Sequence, residues 1–87
     1  MNFYYVYILE NRVKHYLYVG QTNDLKARIL KHNKKHVKSS KPYVPLDLAY
    51  YEAYRNKKDA IKREKYLKTT KGKTALRFML KYYLQGC

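Results

Sequence analysis

The chain has 87 residues, enough for one modest hydrophobic core and not for a second module. Twenty Lys and Arg against six acids give a formal charge of +14, a self-repulsion that suits a polyanionic partner and makes nucleic acid the first candidate. A membrane surface is set aside, because the apolar residues lie in strand-like and helix-like runs that need each other rather than on one long exposed face.

In chain order, "FYYVYIL" at residues 3–9 and "YLYV" at 16–19 are rich in aromatic and β-branched side chains, and the polar "ENRVKH" between them suits a hairpin. The opening run is too short to span a bilayer and has no basic leader, so it reads as the first strand. Tyr5, Tyr7 and Leu9 share one face; Tyr16 and Tyr18 share a face with Gly20, which is expected to end the second strand in a sharp turn. Asn23 is expected to cap a helix over 24–33, with Asp24 favourable in its first turn. That helix sets Arg28 and His32 at i and i+4, beside a face made by Leu25 and Ile29.

Residues 33–45, "NKKHVKSSKPYVP", carry four lysines and no acid and read as a basic surface loop. A third strand is expected over 46–54, a helix over 57–69, and a final helix over 73–84 ending before Gly86, with Ala75, Leu76, Met79, Leu80 and Tyr83 on one stripe. The order ββαβαα predicts an α+β fold over 1–87, a small three-stranded antiparallel sheet flanked by helices. With Cys87 as its single cysteine the chain can form no internal disulfide, which suits a reducing cytoplasm.

One carboxylate is out of place. Ala60, Ile61, Glu64 and Leu67 share a helix face, so Glu64 falls on the apolar stripe, where a charge must be offset by a cation, a hydrogen bond or protonation. Its plain explanation is an ion pair with a lysine or arginine folded over the core edge. His32 and His36 have the i, i+4 spacing of a zinc pair, but no Cys, Asp or Glu nearby completes a site.

"YVY" at 5–7, "YVG" at 18–20, the later Arg-x-x-x-His and the helical "REKYLK" together resemble the GIY-YIG nuclease domains, in particular the small bacterial proteins that contain little else. The resemblance implies that Tyr7 and Tyr18 present hydroxyls to the scissile phosphate and the attacking water, one of them as general base. It implies that Arg28 stabilises the phosphoryl transition state, that His32 assists proton transfer or positions Tyr7, and that Glu64 holds one Mg2+ or Mn2+. A tyrosine pKa near roughly 10 would have to be lowered for a base at neutral pH, a task the dense lysines are expected to perform.

Lys31, Lys34, Lys35, Lys38, Lys41, Lys62 and Arg63 are the expected phosphate contacts. Gln21 stands where some members carry a lysine, and "TTKGKTAL" offers Thr70 or Thr74 where many carry an asparagine. The expected activity is metal-dependent cleavage of DNA, or of RNA, by the chain alone, as a homodimer or with a partner protein. The alternative is a basic nucleic-acid-binding module of the same fold without turnover.

Overall fold

A computed structural model describes residues 2–85. The reading of Gly86 as a helix stop and of Cys87 as a lone thiol falls outside them. Strands β1 (Tyr4–Asn11), β2 (Tyr16–Thr22) and β3 (Asp47–Tyr54) form an antiparallel sheet in the order β2-β1-β3. The helices are α1 (Leu25–Asn33), α2 (Lys57–Leu67), α3 (Thr70–Met79) and α4 (Lys81–Gln85). This is the expected α+β architecture.

Strand β1 is buried because it is central and covered on both faces. Val6 and Ile8 point into one core with Ala60, Leu67, Leu76 and Leu80, while Tyr7 and Leu9 point into another with Leu46, Leu25 and Ile29. The strict alternation of Val6, Tyr7, Ile8 and Leu9 therefore separates two apolar layers, not core from solvent. The second layer, under α1, contains the polar groups of interest.

Four local expectations are corrected. Gly20 does not end β2; it pairs with Tyr7 inside the ladder, and the strand runs on to Thr22. The cap of α1 is Asp24, whose carboxylate accepts from Ala27 N at 3.1 Å, not Asn23 one residue earlier. The final helix begins at Thr70, capped by the Thr69 hydroxyl on Gly72 N, and breaks at Leu80 into two. On its stripe Leu76 and Leu80 are buried, whereas Met79 and Tyr83 are exposed.

The segment 33–45 is better tied than a plain surface loop. Asn33 mimics a strand, its side chain accepting from Leu46 N at 2.7 Å and donating to Leu46 O at 3.0 Å. Asn11, at the end of β1, donates to Tyr43 O at 2.7 Å, and the rings of Tyr16 and Tyr43 stack 3.7 Å apart. A 3-10 turn over Lys41–Tyr43 follows Ser40, which is fully buried.

Candidate active site

The register of the hairpin builds the site. Opposing Tyr7 with Gly20 leaves the Tyr7 ring the space that a side chain at 20 would take: a Cβ there would lie inside the Tyr7 ring edge and hydroxyl and 2.9 Å from a Tyr18 ring carbon. Gly20 is thus required by close packing, with no positive φ involved. Tyr18, two residues back on the same face, stacks at 6.2 Å on Tyr7 and meets the His32 ring edge-on at 4.6 Å.

Helix α1 supplies the partners. Arg28 Nε donates to the Tyr7 hydroxyl at 3.2 Å, and one turn later His32 Nε2 lies 3.0 Å from the same oxygen. His32 Nδ1 lies 2.7 Å from Ser40 Oγ, which in turn reaches the Val37 carbonyl at 3.4 Å. The result is one chain of contacts, Arg28, Tyr7, His32, Ser40 and Val37, with Tyr7 and both inner members out of solvent. Tyr7, Tyr18, Arg28 and His32, expected from sequence to belong together, are in mutual contact.

Electrostatics sets their resting states. Burial pushes Tyr7 up to about 12; the Arg28 hydrogen bond opposes the shift, and the charge of Glu64 adds to it. The lysines therefore do not lower this phenol as expected: burial raises it, and the cation that opposes the shift is Arg28. Burial, reinforced by the Arg28 charge, pulls His32 down to about 4. At neutral pH the resting site holds a neutral phenol, a neutral imidazole and a guanidinium.

Glu64, on α2, is half-buried, its side chain 21% exposed, and its Oε2 pairs with Lys68 at 3.2 Å. The compensation demanded by its place on the apolar stripe is met in part by that i, i+4 lysine, itself half in solvent. Among the described residues there is no cluster of three His, Cys, Asp or Glu, and both ring nitrogens of His32 are engaged, by Tyr7 and by Ser40. The donor set fits Mg2+ or Mn2+, which take one carboxylate and fill the shell with water and phosphate oxygens. Glu64 Oε1 has no protein partner among the described residues.

A cleft of about 290 Å³ opens beside Arg28, lined by Tyr4, Gln21, Thr22, Asn23, Lys31 and Lys57. Lys31 thus stands next to the site, while Lys34, Lys35, Lys38, Lys41 and Lys62 are exposed elsewhere on their segments. Arg63 is engaged: its guanidinium grips Glu52 through two bonds of 2.9 and 3.0 Å, and the Tyr50 and Tyr54 hydroxyls donate to the same carboxylate. Thr74 donates to its own helix at Thr70 O.

Sequence reasoning missed Ser40 and Lys57. A serine in a polar loop carries no periodic signal, and Lys57 is one lysine among many. No helix among the described residues is long and apolar enough to cross a membrane.

A family model described as "GIY-YIG catalytic domain" matches residues 3–77. The chain is 44% identical over 54 residues to a UPF0213 protein of Staphylococcus epidermidis, covering 61% of this chain and 66% of that protein. It is 39% identical over 64 residues to a UPF0213 protein of Staphylococcus aureus, covering 72% and 78%. No solved structure matches it significantly.

Proposed function

The chain belongs to the GIY-YIG catalytic domain family, a family of nucleases, and from that premise we propose a metal-dependent endonuclease or nickase that hydrolyses phosphodiester bonds, with DNA as the first substrate to test and RNA as the second. The observation that carries the reading is the Tyr7 hydroxyl held between the Arg28 guanidinium at 3.2 Å and the His32 imidazole at 3.0 Å. A phenol packed only for bulk needs no such pair.

In the proposed reaction Arg28, at the mouth of the basic cleft, binds the non-bridging oxygens of the scissile phosphate and stabilises the charge that grows on them. Lys31 and Lys57 hold the adjoining backbone. Tyr18, half-buried over Tyr7 and His32, helps to place the attacking water. Tyr7 takes the proton of that water while passing its own to His32, since a phenol with a pKa of about 12 is not ionised beforehand. Glu64 would hold Mg2+ or Mn2+, which supplies Lewis-acid stabilisation of the phosphate when bound.

The second reading, binding without turnover, is favoured by one contact, the Lys68 ammonium on Glu64. Nicking of supercoiled plasmid in Mg2+, Mn2+ or EDTA separates the two. The hydrolase should nick only with metal and lose this with Glu64→Ala. No metal-dependent cleavage above the Glu64→Ala background on DNA or RNA, with salt-sensitive binding retained, leaves the binding module.

A further inference from the structure

His32 is fully buried, and a neutral imidazole carries one N–H to share between two neighbours. With the hydrogen on Nε2, it joins the Arg28 N–H in donating to the Tyr7 oxygen, and both phenol lone pairs are taken by protein donors. With the hydrogen on Nδ1, Nε2 is bare, Tyr7 donates to it, and one phenol lone pair remains for a water molecule. Only the second arrangement allows Tyr7 to act as a base.

The protein's own acceptors for the Tyr7 hydrogen favour that arrangement. The buried Tyr7 hydroxyl has two partners among the described residues, Arg28, which can only donate, and His32. Among the described residues its own hydrogen therefore has one acceptor, a bare Nε2. The Nδ1 hydrogen then needs an acceptor, which is Ser40 Oγ at 2.7 Å, and the Ser40 hydrogen has the Val37 carbonyl at 3.4 Å. Every hydrogen in the chain then has an acceptor in the protein, the weakest being the Val37 carbonyl, which also takes the backbone N–H groups of Ser40 and Lys41.

The fold holds Ser40 there. Backbone bonds from Ser40 N and Lys41 N to Val37 O and from Tyr43 N to Ser40 O close the turn, and Tyr43 is locked to the hairpin through Tyr16 and Asn11. We propose that Ser40 is the positioning residue of the site: by accepting the Nδ1 hydrogen of His32 it keeps Nε2 bare, so that the Tyr7 proton has a base to move to. This rests on the hydrolytic reading above.

In the step itself the water oxygen bonds to phosphorus as its O–H breaks, and that proton goes to the Tyr7 oxygen. The Tyr7 O–H breaks and its proton goes to Nε2. The bond from phosphorus to the leaving oxygen breaks with its electron pair on that oxygen, which takes a proton from solvent. The imidazolium keeps its Nδ1–H on Ser40 until Nε2 loses its proton again.

The test begins with 15N spectra of the wild-type histidine rings at pH 7, His32 being assigned by the signals missing in His32→Gln. The proposal expects a protonated Nδ1 and an unprotonated Nε2; the opposite pattern overturns it, with or without enzymatic activity. Ser40→Ala should give a mixture of tautomers and slow single-turnover cleavage at least roughly tenfold with little change in DNA affinity. Ser40→Thr, which keeps the oxygen, should restore both, its fold being checked by melting because an added methyl enters a buried position.

A Ser40→Ala protein with the wild-type tautomer and rate would overturn the proposal. A wild type that does not cleave would sink the hydrolytic reading instead, while the spectra still decide whether Ser40 sets the tautomer.

Discussion

Tyr7 is the residue on which packing and chemistry meet. Its ring fills the space left by Gly20, and its hydroxyl joins Arg28 to His32. Tyr7→Phe should keep the ring packing and nucleic-acid affinity but reduce single-turnover cleavage about 10²- to 10⁴-fold, the usual scale for losing a general base. His32 makes a separate prediction about stability. Its folded value of about 4 lies below the ordinary histidine value of 6.5, so between them the unfolded chain binds a proton that the folded chain refuses. Stability should therefore fall as pH drops from about 6.5 to about 4, by up to about 3 kcal/mol, and His32→Gln should flatten that slope in denaturant titrations. Arg28 and His32 were legible in the sequence as i and i+4 neighbours beside an apolar face, because helical geometry fixes that much. Ser40 was not, since its partner lies eight residues away across an irregular turn. The state of Tyr7 was not legible, because the sequence displays the lysines and conceals the burial that raises the phenol.

At the scale of elements, the two described glycines act through contact. Gly20 was legible as special, but its reason is the cross-strand register with Tyr7, and register is not written in one strand alone. Gly72 sits in the first turn of α3, where a Cβ would press into the Tyr66 carbonyl and lie 2.6 Å from Leu67 Cα. Gly to Ala inside a helix normally gains about 1 kcal/mol. Here the obstructing atoms are backbone, so Gly72→Ala should instead destabilise by roughly 1–3 kcal/mol, measured by chemical denaturation, as the α2–α3 corner is forced apart. The same corner explains why the helix expected from residue 73 begins at Thr70: Thr69 caps and Gly72 permits the crossing, two residue types whose local signals favour a break. The strands and α2 were readable from alternation and helical period, whereas the end of the final helix was not, because Leu80 is buried although it terminates α3. The carboxylate at Glu52 gathers Arg63, Tyr50 and Tyr54 and ties β3 to α2, a use of Arg63 that periodicity could not separate from a role on the surface.

Across the whole molecule, the charge of +14 sets how the protein meets its substrate. With Arg28, Lys31 and Lys57 at the cleft and further lysines exposed after His32, a footprint of roughly four to six phosphates predicts that log K falls with log salt at a slope of about −4 to −5. Filter-binding or anisotropy titrations over a range of NaCl concentrations would read it. Lys57→Ala should reduce the magnitude of that slope by about one without changing sequence preference. Fold class was legible at this scale because the order of elements limits the topologies, whereas the nuclease reading came from the family resemblance carried by Tyr7, Tyr18, Gly20, Arg28, His32 and Glu64, which spacing alone does not supply. The central claim is that a metal held by Glu64 and the Tyr7–His32 pair together hydrolyse a phosphodiester. Single-turnover nicking of supercoiled plasmid in Mg2+ by wild type, Tyr7→Phe and Glu64→Ala, with affinity measured alongside, tests it most directly. Wild type should nick with metal and stop in EDTA, while both variants bind as wild type does and cleave about a hundredfold or more slowly. Cleavage by Tyr7→Phe at the wild-type rate, or by Glu64→Ala as fast as wild type, would contradict it.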